Sequence, residues 1–237
     1  MNLSDFFTNL LGVILGIMLT FGVNFLWRRR EEKRRTKDML ILVRNELINN
    51  KEAFKIQEEL LKKDGFVYQK ILEAKDDLTS IPEVVLEEYH TQIQGIHVGQ
   101  LIVSAWQIFQ NSEMIQKMTN KEMVIRLTNC YSVMTEWHKF IEKDYWETKR
   151  KMLKLTLDSP CLFFETVLKN VEIYNFCDQF KLNKEDIWEA FLVIDAVIDY
   201  TVLLLDKHGD YRYDMEENDK EINAFIEARI LQKKKDA

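Results

Sequence analysis

The chain has 237 residues, 46% of them apolar and 30% charged, which excludes both a disordered polymer and a protein that crosses a membrane many times. Two prolines and seven glycines are too few for the turns of a β-rich fold, so the composition predicts an all-α protein. The net charge of −6 hides an asymmetry: residues 28–38 (RRREEKRRTKD) carry +4 and the residues after them −9. So acidic a body excludes nucleic acid as a general partner, because phosphate binding needs clustered Lys and Arg.

The first element is a hydrophobic helix. Phe6–Trp27 is 22 residues without a charge, long enough at about 1.5 Å per residue to match a hydrocarbon core of about 30 Å. Arg28, Arg29 and Arg30 follow at once, with Trp27 at the interface position. This predicts a single transmembrane helix over 6–27 rather than a cleaved signal, since nothing basic except the amino terminus precedes it and no small-x-small site follows. The positive-inside rule then leaves residues 1–5 as a short extracytoplasmic tail and the rest in the cytoplasm of a bacterial inner membrane.

Thr8, Gly12, Gly16, Thr20 and Asn24 recur every four residues along one face of that helix. Small residues at this spacing let two backbones meet closely, which predicts a helix–helix interface and a homo-oligomer. The cluster Arg28, Arg29, Arg30, Lys33, Arg34, Arg35 and Lys37 fits a bilayer surface with anionic headgroups.

No proline or glycine falls between Gly22 and Gly65, so the span is expected to run on as a basic stalk helix over 28–65, closed by Asp64-Gly65. Leu40, Val43, Leu47, Phe54 and Leu61 give it an apolar seam; Asn50 and Gln57 interrupt that seam, so the stalk should pack on its own domain rather than form a free coiled coil.

Residues 66–237 read as one cytoplasmic helical domain. A short helix and polar link are expected over 66–78. Ser80-Ile81-Pro82-Glu83 is a helix start, with a capping serine, an early proline and a glutamate three residues on. That helix should end near Gln94, with Gly95 and Gly99 as a break and LIVSAWQIFQN as the next, well-buried helix. Thr119-Asn120-Lys121-Glu122 opens a long helix over about 121–154, with Leu127, Cys130, Met134, Trp137, Ile141 and Tyr145 on its core face. Asp158-Ser159-Pro160 starts a further helix, and Asn183-Lys184-Glu185-Asp186 another that ends near His208-Gly209.

Within the latter, IWEAFLVIDAVIDYTVLLL is apolar enough to suggest a second span. Glu189, Asp195 and Asp199 point instead to a buried core helix, since an acid at bilayer depth costs at least about 2.5 kcal/mol. Asp195, Asp199 and Asp206 fall on one side and read as its solvated face. Asn218-Asp219-Lys220-Glu221 opens a last amphipathic helix that ends in Lys233, Lys234 and Lys235.

No motif for chemistry emerges. Cys130, Cys161 and Cys177 lack CxxC spacing and read as free thiols, and no GxSxG, phosphate or dinucleotide loop is present. HEPN-type ribonucleases need an Arg four to six residues before a His; the nearest Arg before His138 is Arg126, and neither His90, His97 nor His208 has one. His90 and His97 straddle Gly95 and have only Glu87 as acidic company, which is not a metal site. The expectation is therefore a non-enzymatic protein with no catalytic residue, metal or cofactor, whose helical domain binds a protein partner.

The run LIVSAWQIFQNSEMIQKMTNKEMVIRLTNCYSVM, together with the GVILGI-type span, the following Trp and basic run, and Glu46, Leu47 and Asn50, resembles uncharacterised bacterial single-span membrane-anchored helical proteins. That resemblance covers residues 10–60 and 95–135. It implies a fold and a membrane location but no chemistry, since those families have none assigned. A wider architectural analogy, to single-span proteins of antiphage systems, gives the alternative of a pore-forming or membrane-perturbing effector. A helical enzyme with an unrecognised site is the remaining alternative.

Overall fold

The structure is a computed structural model that describes residues 3–95, 100–118, 120–155, 159–182 and 184–207, and in the C-terminal segment 220, 223–225, 227–229 and 231–232; the side chains of 3–12, 144, 181, 182 and 184 are outside that description. Among the described residues the fold is all-α, with no strand, as the scarcity of turn residues requires. The chain divides into two compact units, Met1–Arg44 with Ser104–Thr119, and Asn45–Val103 with Asn120–Ala237.

Helix α1 (Leu3–Glu73) crosses from the first unit into the second without interruption. The expected stop at Asp64-Gly65 does not occur, and 66–73 is the last part of α1 rather than a separate helix. The reason is steric. A Cβ built on Gly65 would lie 2.9 Å from Phe180 Cε1, so glycine here makes room for a ring that packs on the helix backbone. The expected seam is present: Val43, Leu47, Phe54 and Leu61 are all buried.

In the first unit, α3 (Ser104–Gln110) and α4 (Glu113–Lys117) accompany the start of α1. Only Ser104–Gln110 of the expected LIVSAWQIFQN helix is helical; Trp106 and Phe109 are buried, whereas Ile108 is exposed. Lys117 Nζ reaches Glu32 Oε1 at 3.0 Å. Among the described residues no helix is long and apolar enough to cross a membrane. The expected span is described in side-chain detail only over Val13–Trp27, and Phe6–Gly12 lie outside it.

The second unit is the bundle. After α1 come a 3₁₀ turn (Leu78–Ser80) and α2 (Glu83–Gln94). The expected serine cap of α2 is not made: Pro82 holds the cap position, and Ser80 Oγ donates to the Asp77 carbonyl at 2.7 Å. Asn120 does cap α5 (Lys121–Phe140), accepting from Met123 N at 3.0 Å. Helix α5 runs through a π turn (Ile141–Trp146) into α6 (Glu147–Leu153), so the expected long helix is present with one change of pitch.

That change follows from the side-chain spacing. Trp137, Ile141, Tyr145 and Lys149 lie four apart in succession, a run that drifts off one face of a 3.6-residue helix and stays on it through a wider π turn. Of the core-face positions, Leu127, Cys130, Met134, Ile141 and Tyr145 are buried and Trp137 is half-buried.

The single helix expected after Pro160 is two, α7 (Pro160–Lys169) and α8 (Val171–Leu182). Asn170 breaks them: its Oδ1 accepts from Glu172 N at 3.1 Å and Ile173 N at 3.2 Å, which opens α8. Helix α9 (Lys184–Asp206) is a core helix, with Ile187, Phe191, Ile194, Ile198, Tyr200 and Leu204 buried, and it packs on α5 and α8. Gly99, Thr119, Asp158, Asn183, His97, His208-Gly209, Asn218-Asp219, Glu221 and Lys233–Lys235 lie outside the described residues.

Candidate functional site

The polar residues of α1 that interrupt its apolar seam are where the bundle concentrates its chemistry. Asn50 is fully buried and clamps the backbone of Ile102 from both sides: its Nδ2 donates to Ile102 O at 2.7 Å, and its Oδ1 accepts from Ile102 N at 2.9 Å. Residues 100–103 have no regular secondary structure, and both main-chain groups of Ile102 are thereby satisfied. Glu46 Oε1 accepts from Tyr131 Oη of α5 at 2.7 Å. Burial, then that bond, push the Tyr131 phenol well above its usual range.

Asp64 is the centre of the largest cluster, and sequence reading had assigned it only to a helix end. It is fully buried. Its Oδ2 accepts from Lys149 Nζ of α6 at 2.5 Å and from Tyr145 Oη of the π turn, and its Oδ1 accepts from Gln92 Nε2 of α2 at 3.1 Å. The Tyr145 hydroxyl also meets Tyr68, whose Oη lies 4.0 Å from Met152 Sδ. Burial, then the neighbouring Tyr68 and the Asp64 charge, hold the Tyr145 phenol far above its usual range. Burial, then Asp64, do the same to Tyr68. Lys149, itself buried, places its ammonium 5.2 Å from the Trp146 ring. The π turn puts Tyr145 and Lys149, four apart, on one acceptor.

Asp64, Tyr145 and Lys149 are all buried. The void beside Tyr68 and Met152 is about 10 Å³, room for one water and for no substrate. The lysine committed to a carboxylate and the two phenols raised by burial cross-link α1 to α6 and the π turn, and Gln92, which is half-buried, ties the same carboxylate to α2. Nearer the surface, an open groove of about 580 Å³ runs between α1 and α2, with Lys63 on one wall and Glu87 and Glu88 on the other.

Asp195 and Asp199 do not form the solvated face expected of them. Lys51 of α1 lies 3.4 Å from Asp195 Oδ1 and bonds Asp199 Oδ1, and all three side chains are about four-fifths buried. Asp206 stands apart from that cluster in sequence and keeps an interaction of its own.

Of the stripe residues, Gly16, Thr20 and Asn24 are exposed, and the side chains of Thr8 and Gly12 lie outside the described residues. The Thr20 hydroxyl donates to Gly16 O at 2.8 Å, inside its own helix. Nothing lies within 4 Å of a Cβ placed on Gly16. In the basic cluster Arg34 and Arg35 pair with Glu31, at 3.3 and 3.1 Å; Arg28, Arg29, Arg30, Lys33 and Lys37 have no ion-pair partner among the described residues. His90 rests 4.7 Å from the Phe163 ring with Gln94 at 3.0 Å, a packed and hydrogen-bonded setting.

No family model matches this chain, and neither a curated protein nor a solved structure matches it.

Proposed function

We propose that this chain is a membrane-anchored scaffold protein without enzymatic activity, held in a bacterial inner membrane by Phe6–Trp27. Its amino terminus lies outside, its helical domain lies in the cytoplasm, it self-associates through the anchor, and the domain binds a protein partner. One observation carries the reading. From Val13 to Trp27 every side chain is exposed, and eleven of them are large and apolar, 45–75% exposed. A helix apolar on every side needs apolar surroundings, since a stripe facing a core would leave the opposite face polar. Arg28, Arg29 and Arg30 at its end have no ion-pair partner among the described residues and stand where phosphate headgroups would lie.

The pore alternative gains nothing comparable. With Thr20 bonded inside its helix, Asn24 is the one side chain of the described stripe left to face an aqueous path.

Fractionation of the full chain tests the anchor. It should stay with membranes through alkaline carbonate, and deletion of residues 3–27 should release it as folded, helical protein; full-length protein that washes off would refute the reading. Replacing Gly12 and Gly16 by Leu tests self-association. Gly16 is exposed and a Cβ there meets nothing within 4 Å among the described residues of one chain, so a shift toward monomer in mild detergent reports contact between chains. An unchanged oligomer would move assembly to the helical domain.

A further inference from the structure

The groove of about 580 Å³ between α1 and α2, with Leu60 and Val84 in its lining, adjoins a second hollow of about 410 Å³ beside Phe66 and Tyr89. The two share Lys63, Glu88 and Gln92. Gln92 donates to the buried Asp64 at 3.1 Å, and Tyr89 sets its ring edge-on to Phe66 at 6.1 Å, so α2 is tied to α1 at two points along the groove. Large apolar surface stays open there all the same: Phe66 is 53% exposed and Val84 67%. The charges are lopsided. Lys62 is taken by Glu58 at 2.7 Å, and Lys70, which lies over the Phe66 ring, is taken by Glu73 at 2.9 Å. That leaves Lys63 against Glu87 and Glu88 in the lining, with Glu59 and Glu83 one residue before Leu60 and Val84. All five are exposed, and none has an ion-pair partner among the described residues.

We infer that this groove is where the domain docks its protein partner, and that the occupant is a basic amphipathic helix of about three turns; the inference rests on the reading of the domain as a partner-binding one. Charge sets the sign of the occupant, because one cation among four acids calls for Lys or Arg on the other side. The main chain sets its conformation. An extended peptide finds no ladder of main-chain partners along two helices, whereas a helix brings its own backbone bonds with it. The length follows from α2, whose 12 residues span about 18 Å. Apolar residues of such a helix, three and four apart, would cover Phe66 and Val84 while its basic edge meets the glutamates.

Photocross-linking of the full chain, in the cells that make it, tests this. Benzoylphenylalanine is placed at Phe66, at Val84 or, away from the groove, at the exposed Val133 of α5. Phe66 and Val84 should each give an adduct with another protein, in which the attached peptide is basic and apolar at helical spacing; Val133 should not. Glu87→Lys with Glu88→Lys should cut that adduct at least about tenfold, because like charges then face each other. Both glutamates are exposed, so helix content should hold. Should it fall, Glu87→Gln with Glu88→Gln keeps the shape and must still weaken the adduct about threefold. The inference is overturned by no adduct at Phe66 and Val84, by an adduct only with a second copy or with lipid, by an acidic attached peptide, or by indifference to the charge changes. A protein adduct at Val133 alone would move the partner elsewhere on the domain, and none at any position would count against the partner-binding reading as well.

Discussion

Lys149 Nζ lies 2.5 Å from Asp64 Oδ2, and neither side chain has more than 1% of its surface exposed. The two residues are 85 apart in sequence, on α1 and α6. Removing one partner strands a buried charge, so Asp64→Asn or Lys149→Met should each cost about 3–5 kcal/mol. The double change Asp64→Leu with Lys149→Met should cost much less than the two single costs combined. Urea unfolding followed by circular dichroism checks this, and strict additivity would mean that the two charges do not act as a pair.

Gly65 gives a prediction of opposite sign to the usual rule. Glycine to alanine inside a helix ordinarily gains about 1 kcal/mol. Here the new Cβ would press on the Phe180 ring at 2.9 Å, so Gly65→Ala should instead lose about 1–3 kcal/mol. In a Phe180→Ala background the same substitution should become stabilising, which separates the steric cause from helix propensity.

Alkaline pH should unfold the bundle. Burial pushes the Cys130 and Cys177 thiols up to about 12, and it raises the Tyr68 and Tyr145 phenols. All four groups hold their protons more tightly folded than unfolded. The thiols' contribution is therefore complete below about pH 9 and is lost as pH rises from 9 towards 12, each costing up to about 4 kcal/mol by then, while that of the phenols begins to be lost only above about pH 10. Thermal melts at stepped pH should fall over that window. Thiol labelling of folded protein near pH 8 should modify Cys161, which is half-buried, well before Cys130 and Cys177.

Several helix starts were legible from local causes. Proline near a helix start and asparagine at a cap act within four residues, and α2, α5 and α7 begin where Pro82, Asn120 and Pro160 indicate. The acidic core helix was legible too, because its apolar surface exceeds what three carboxylates can solvate. What stayed hidden has causes far along the chain. Asp64-Gly65 looks like a helix end by composition, yet the glycine answers to Phe180 and the aspartate to Gln92, Tyr145 and Lys149. Asp195 and Asp199 find their cation at Lys51, which no local pattern marks. Two signals could have been used: the succession of fours from Trp137 to Lys149 for the π turn, and Asn170 for the break between α7 and α8.

The buried polar residues of α1 also work as a key. Glu46, Asn50, Lys51 and Asp64 each fit a different lock: Tyr131 of α5, the backbone at Ile102, the acids of α9, and the trio of Gln92, Tyr145 and Lys149. Apolar seams tolerate slippage, because leucine meets leucine about as well one turn along. Sliding this helix by one turn, about 5.4 Å, would misalign all four locks together and leave several polar groups buried without partners. The helix therefore has a single seating in the bundle, and a pull along its axis would meet resistance from all four locks together, with no intermediate notch in which to rest.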